Sequence, residues 1–200
     1  MARTGEDVIL ALPTPVRPMR HVRSTLILAS IASVRASGRY EEYERHLPLQ
    51  HKDTILGAVA ATWLPVEVAL AHYGACDALG LTAEQQAQAG RSTFKASRAT
   101  LLGTAVALAR SAGFSPWQAF PLYQRFWDRG CDGGGVNVVR MGPKDAHLTV
   151  VQCPLVASSY FRNGLRGLTA SLTELFCTRA YVTERLHNRQ GTLAVRVQWA

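Results

Sequence analysis

The sequence of 200 residues has few lysines and few cysteines, and both scarcities restrict the chemistry that it can carry. Lys52, Lys95 and Lys144 are its only lysines, so nearly all of its basic residues are arginines. The 4 cysteines lie far apart and form no Cys-x-x-Cys pair, so the signatures of zinc binding and dithiol redox chemistry are absent. We therefore expect reduced, mostly buried thiols, and we expect neither a metal nor a cofactor.

Long apolar runs are also missing. No stretch reaches the roughly 18–20 apolar residues that a membrane-spanning helix needs. Near the start, Glu6 and Asp7 interrupt the basic patch of a secretory signal, and prolines soon follow a short apolar stretch. With 48% hydrophobic and 18% charged residues, the chain can bury a full core. These features predict a folded cytoplasmic protein without a membrane span.

Catalytic signatures are scarce as well. The sequence has no Gly-x-Ser-x-Gly motif, and the glycine-rich segment 131–135 lacks the Gly-Lys-Ser/Thr ending of a phosphate loop. The 6 histidines do not cluster along the chain. His72 lies beside a predicted buried stripe, and a surface or rim position suits it better than the role of ligand or proton donor. An enzyme is therefore the last of the functions considered.

The formal net charge of +8 raises the question of a nucleic-acid partner. The arginines are scattered, however, and no block of about five or six like charges occurs. A chain rich in Ala, Gly, Leu and Arg is also typical of a GC-rich genome, where arginine replaces lysine for coding reasons. Nucleic-acid binding is thus disfavoured, but it stays open as an alternative.

The N-terminal half is predicted to be helical after an irregular start. Residues 1–20 form an arm whose prolines favour an extended path, and within it 8–12 has the pattern of a short edge strand. Residues 21–200 are predicted to form a single α+β, ligand-binding-like domain. Helical character begins over 21–36, and small apolar residues predict another helix over 54–62.

Two capping boxes mark further helix starts. They are Thr82 with Gln85, and Ser115 with Gln118. A helical run over 97–112 lies between them. The helix that begins at the second box should continue to about Asp128, with a kink at Pro121.

The C-terminal half changes from helical to strand periodicity. Leu193, Val195 and Val197 alternate with other residues, as in a strand with one buried face. The predicted β-β-α-β-β order covers residues 136–141, 146–152, 155–175, 179–186 and 192–199. We therefore predict an α+β fold in which helices cover one face of a four-stranded antiparallel sheet.

The helix over 115–128 carries the densest aromatic cluster in the chain, and two interpretations of it are open. The rings could simply pack on the sheet. Alternatively, they line a pocket for an apolar ligand, with Arg125 or Arg162 holding a polar head group. On the second interpretation the candidate ligand-binding residues are Trp117, Phe120, Tyr123, Trp127 and Tyr160 as lining, with Arg162 as the polar anchor.

Several segments together give the chain a family resemblance. They are Ala61 to Glu67, Phe114 to Pro116, Phe126 to Gly130, Asn163 to Leu168 and Gly191 to Trp199. On these segments the chain resembles the myxobacterial paralogous family of uncharacterised proteins. That family is similar to the superfamily of heme-nitric-oxide-binding domains, vinyl-reductase-type ligand-binding domains and transport-particle subunits.

The resemblance implies helices packed on a four-stranded antiparallel sheet, with a cavity between them in some members and dimer or adaptor roles in others. Heme-binding members use a Tyr-x-Ser-x-Arg motif, and the nearest segment here, Ser158 to Arg162, has the wrong order. Heme is therefore disfavoured. We expect a non-catalytic sensory or regulatory module that binds a small, mostly apolar ligand; the alternative is a homodimeric protein-protein interaction adaptor without a bound ligand.

Overall fold

A five-stranded antiparallel sheet, a smaller three-stranded sheet and a set of helices make up the fold in the computed structural model, which describes residues 7–98, 114–185 and 190–200. The strands are β1 Asp7–Leu10, β2 His21–Arg23, β3 Trp63–Pro65, β4 Cys131–Asp132, β5 Gly135–Gly142, β6 Asp145–Val151, β7 Ala180–Arg185 and β8 Leu193–Trp199. The helices are α1 Ser24–Ala36, α2 Tyr40–His46, α3 Leu49–Leu56, α4 Val66–Asp77, α5 Ala83–Arg98, α6 Pro116–Ala119, α7 Tyr123–Gly130 and α8 Ser159–Thr173. Phe120–Leu122 and Pro154–Ala157 form 3-10 turns.

The large sheet confirms the predicted α+β class. Its strand order is β1-β5-β6-β8-β7, and every neighbouring pair is antiparallel. The four strands expected from the sequence are β5 to β8. On one face of these strands, side chains such as Leu148 and Val197 are completely buried. The fifth strand, β1, lies in the segment expected to be an irregular arm, and it confirms the short edge strand predicted over 8–12. It pairs with β5, and the Asn137 side chain donates a hydrogen bond to the Leu10 carbonyl at 2.9 Å.

The small sheet corrects the start of the first helix. Residues 21–23 are extended because Val22 pairs with Leu64 on one side and Cys131 on the other, and Val22 is completely buried. Helix α1 therefore begins at Ser24. The helix expected over 54–62 was also wrong, since α3 ends at Leu56 and the chain then turns.

Both capping boxes and the proline kink are confirmed. Gln85 and Thr82 exchange hydrogen bonds of 2.9 and 3.3 Å, and the Ser115 box closes the start of α6. Pro121 interrupts the following helix, so a 3-10 turn separates α6 from α7. The helical run predicted over 97–112 falls mainly outside the described residues.

Helices α5 and α8 approach each other at backbone distance. A Cβ atom placed on Gly167 would come within 1.9 Å of the Ala87 carbonyl oxygen, so a larger residue would not fit there. The crossing places α5 and α8 side by side above the sheet. Within the described ranges, no helix is long and apolar enough to cross a membrane.

Candidate functional site

A cavity of about 320 Å³ lies among α1, α4, α5, α7 and α8, and we call it the central cavity. Most of its described wall is aromatic or aliphatic, which suits an apolar guest. The larger side chains in this wall are Leu26, Tyr73, Phe94, Tyr123, Phe126, Trp127, Tyr160, Phe161, Leu165, Leu168 and Leu172.

Glycines and a cysteine complete the wall. Gly90 and Gly164 belong to it at the crossing of α5 and α8, where the absence of a Gly90 side chain lets the two backbones come together. Cys131 also faces the cavity, and burial raises the pKa of its thiol well above the ordinary value. The thiol is therefore protonated at neutral pH, and it contributes to the wall as a small hydrophobic group.

One corner of the central cavity is polar, and its groups form a hydrogen-bonded chain. The Tyr43 hydroxyl lies 2.7 Å from Nδ1 of His72, and Nε2 of His72 lies 3.0 Å from Oγ of Ser30. Ser30 in turn donates to the hydroxyl of Tyr160 at 3.3 Å. Sγ of Cys76 lies 3.8 Å from the same Nε2. Only Ser30 and Tyr160 of this chain reach the cavity wall.

The polar corner is electrically neutral near pH 7. Burial lowers the pKa of His72 to about 3, so its imidazole carries no charge. Burial also raises the pKa of Tyr160, and likewise that of Cys76, so both keep their protons. This corner can therefore donate and accept hydrogen bonds, but it offers no charge to a ligand.

Three of the predicted lining residues do lie in the wall of the central cavity. Tyr123 and Trp127 reach it from α7, and Tyr160 reaches it from the first turn of α8. The Tyr123 hydroxyl is hydrogen-bonded to the side chain of Thr169, and Nε1 of Trp127 donates to the Gly133 carbonyl at 2.9 Å. These bonds hold both rings against the cavity.

Trp117 and Phe120 do not line the central cavity. Their rings pack against Trp199 of the sheet, with ring centroids 4.8 and 5.8 Å away respectively. The break at Pro121 explains the difference, because the two halves of the expected helix no longer share one face. The contacts of these two rings agree with the packing interpretation of the aromatic cluster.

Arg162 also lies outside the cavity wall. Its guanidinium donates to the carbonyl oxygens of Val156 and Ala157 at 2.9 and 3.1 Å, and its Nε lies 3.3 Å from the Glu184 carboxylate. It therefore ties α8 to a 3-10 turn and to strand β7. The charged residue in the described wall is instead Arg129, an exposed side chain at the end of α7.

Sequence reasoning missed the polar corner. The surface or rim position expected for His72 was wrong, since the residue is completely buried. Its partners are remote in sequence: 42 residues separate it from Ser30, and 130 separate Ser30 from Tyr160. The only local signal was the position of His72 within the buried stripe of α4.

A second cleft, of about 680 Å³, lies beside the small sheet. It is larger than the central cavity, but charged residues such as Arg17, Asp128 and Asp132 share its wall with prolines and glycines. Nδ1 of His21 lies 2.9 Å from the Asp132 carboxylate, so these two side chains are partners of each other. Among the described residues, no group of three or more His, Cys, Asp or Glu side chains could hold a metal. The cleft therefore fits an apolar guest less well.

Comparisons with solved structures relate the chain to H-NOX proteins over most of its length. An Fe(II) unliganded H-NOX variant from K. algicida has a TM-score of 0.64 at 9% identity, over 89% of this chain and 96% of its own. An H-NOX variant from T. tengcongensis has a TM-score of 0.57 at 13% identity, with coverages of 88% and 97%. An oxygen-binding H-NOX domain related to soluble guanylate cyclases, in its oxygen complex, gives 0.55 at 12% identity, with coverages of 88% and 94%.

At these identities the likeness shows the fold alone, and the chain has an H-NOX-like α+β fold. No protein-family model matches the sequence. No curated protein matches it either. The function therefore has to be argued from the residues of the site.

The residues present do not fit a heme. Protein ligands to heme iron are His, Cys thiolate, Met or Tyr side chains. Within the described wall there is no His or Met, and His72 lies behind Ser30 with both ring nitrogens hydrogen-bonded. The wall holds Cys131 and tyrosines, of which Tyr123 and Tyr160 are already hydrogen-bonded to Thr169 and Ser30. The sequence of residues 95–113 contains no His, Cys, Met or Tyr.

Proposed function

We propose that this protein is a non-catalytic sensory or regulatory module of the cytoplasm that binds a small, mostly apolar ligand in the central cavity. The single observation that carries the proposal is the wall itself, which surrounds about 320 Å³ with aromatic and aliphatic side chains. A mostly apolar pocket with a few polar groups is the usual form of a small-molecule binding site.

The size of the cavity limits the ligand. A volume of about 320 Å³ lies at the lower end of the roughly 300–1,000 Å³ range of small-molecule pockets. Each methylene buried there contributes about 0.8 kcal/mol to binding. The guest is therefore a compact molecule, smaller than a nucleotide or a porphyrin.

The proposed ligand-binding residues are Tyr123, Trp127 and Tyr160, joined by Phe94 and Leu165 from the facing helices. All five line the central cavity, and the rings of the first three are positioned by the contacts described above. The likeness of the fold to an oxygen-binding H-NOX domain supports a small-ligand role in general terms. It does not indicate the identity of the guest, because the heme ligands are missing here.

A panel of small apolar compounds tests this function. Thermal-shift assays should show stabilisation by guests of about eight to ten heavy atoms. Native mass spectrometry should detect a complex with one guest per chain. If no compound of this size stabilises the protein at millimolar concentration, the cavity is not a binding site and the proposal fails.

A second candidate function is a homodimeric adaptor. The observation that favours it is the position of β7 at an edge of the large sheet, where Tyr181 is 49% exposed. Edge strands present unpaired backbone groups to other chains. Light scattering discriminates between the two candidates, because a protein that stays monomeric at high concentration does not act as a homodimer.

A further inference from the structure

The buried chain that runs from Tyr43 through His72 and Ser30 to Tyr160 has a defined direction, which follows from the protons that its members carry. The neutral imidazole of His72 donates through one nitrogen and accepts through the other. Tyr43 is completely buried, and Nδ1 of His72 is the partner that the described residues offer its hydroxyl. If Nδ1 carried the proton, the Tyr43 proton would be left buried without an acceptor, which is costly.

Nδ1 therefore accepts a hydrogen bond from Tyr43, and Nε2 donates to the oxygen of Ser30. The Ser30 hydroxyl then donates a hydrogen bond to the Tyr160 oxygen, which is the direction that the geometry of this contact gives. Every proton in the chain now has an acceptor except the last. The phenol proton of Tyr160 has none among the described residues, and Tyr160 lies in the wall of the central cavity.

We propose that the Tyr160 hydroxyl donates a hydrogen bond to a neutral oxygen acceptor, such as a ketone or ester carbonyl, of an otherwise apolar ligand. This inference rests on the proposed function, since it requires a ligand in the central cavity. It adds the chemical class of that ligand and names Tyr160 as the residue that selects it. The preceding hydrogen bonds fix the Tyr160 oxygen in place and hold its proton available.

A negatively charged ligand group does not suit the polar corner. Burial disfavours the anions of Tyr43, Cys76 and Tyr160 there, and the same cost applies to a carboxylate. Arg129 is the only charged residue in the described wall, and its side chain is exposed. A neutral acceptor can accept the hydrogen bond of the Tyr160 hydroxyl, and its binding does not require a charged ligand group to leave water.

Three probes of nine heavy atoms each test the proposal by isothermal titration calorimetry. Acetophenone carries a carbonyl, isopropylbenzene replaces it by an apolar group with the same number of heavy atoms, and benzoate replaces it by a carboxylate. Acetophenone should bind about tenfold more tightly than isopropylbenzene, as expected for one hydrogen bond to a buried donor. Benzoate should bind more weakly than acetophenone.

Two matched variants assign the preference to one hydroxyl. Tyr160→Phe keeps the ring but leaves the acetophenone carbonyl without a donor, so acetophenone should bind no more tightly than isopropylbenzene. Tyr123→Phe removes another wall hydroxyl, one that is already paired with Thr169, and should preserve the tenfold ratio. Thermal unfolding of both variants verifies that they are folded.

The outcomes separate this inference from the proposed function. If acetophenone and isopropylbenzene bind the unaltered protein equally, the cavity is a binding site but Tyr160 selects nothing. Tighter binding of benzoate, or a ratio that survives Tyr160→Phe, also overturns the selection by a neutral acceptor. If neither neutral probe binds, the proposed function fails and this inference fails with it.

Discussion

Gly90 of α5 meets the backbone of Gly164 of α8: a Cβ atom on Gly90 would come within 1.9 Å of the Gly164 carbonyl oxygen. The relationship is one-sided, because a Cβ atom on Gly164 would meet nothing closer than the Gln86 carbonyl oxygen at 3.9 Å. Both glycines line the central cavity. The crossing of α5 and α8 therefore depends on Gly90 in particular, and with it the shape of the cavity.

Gly90→Ala should destabilise the protein by about 1–3 kcal/mol, because the added methyl group forces α5 and α8 apart. Gly164→Ala is the matched control. It adds the same group to the same crossing without a clash, and it should be neutral or stabilise by up to about 1 kcal/mol through helix propensity. Urea denaturation measures both changes. Equal effects of the two substitutions would contradict the one-sided contact.

Filling the central cavity should abolish ligand binding without unfolding the protein. Leu168 lies in the wall and is partly exposed, so Leu168→Trp can place its larger ring in the empty volume. Its melting temperature should stay within a few degrees of the original, while binding of a nine-atom guest falls at least tenfold. Leu49→Trp, at a position that is 88% exposed, is the control and should bind normally. Normal binding by Leu168→Trp would show that the guest binds outside the central cavity.

Removal of Trp117 should affect stability alone. Its ring packs on Trp199, and its Nε1 donates to the Pro143 carbonyl at 2.9 Å, away from the central cavity. Trp117→Ala should therefore lower the free energy of unfolding by about 1–3 kcal/mol and leave the affinity for apolar guests unchanged. Urea denaturation and calorimetry measure the two quantities. A large loss of affinity would show that Trp117 contributes to the ligand site after all.

His72 should make the stability of the protein depend on pH. Its pKa is lowered to about 3 in the folded protein from an ordinary value of 6.5, so in that window the unfolded chain binds the extra proton. The contribution of neutral His72 is complete above pH 6.5. It is lost as the pH falls from there toward 3, at up to about 1.36 kcal/mol per pH unit.

Urea denaturation between pH 7.5 and 4.5 tests this behaviour. His72→Gln replaces the imidazole by an amide, which can form hydrogen bonds but cannot titrate. The variant should be less stable at pH 7.5, and its stability should decline less steeply on acidification. Parallel pH profiles for the two proteins would mean that His72 is not the titrating group.

Most of the fold could be predicted, because most of its helices and strands follow from local patterns in the sequence. Alternation along β8 located a strand with one buried face, and the boxes at Thr82 and Ser115 located two helix starts. The predicted start of α1 was wrong because Val22 pairs with Leu64 and Cys131 in the small sheet. These partners are distant in sequence, so helical periodicity does not indicate them.

The candidate site was less accessible to prediction. Tyr123, Trp127 and Tyr160 lie in the cavity wall, as expected for aromatic residues in helices, which often face the interior. Trp117 and Phe120 were misplaced because Pro121 rotates one half of the helix relative to the other. The polar corner forms only where α1, α2, α4 and α8 meet, and no pattern within any one of these helices predicts that contact.

A crystal structure of the protein equilibrated with acetophenone tests the central claim most directly. The account predicts ligand density enclosed by Phe94, Trp127 and Leu165, with the carbonyl oxygen about 2.5–3.0 Å from the hydroxyl oxygen of Tyr160. An interior closed by side chains, with acetophenone bound only at the surface, would contradict it.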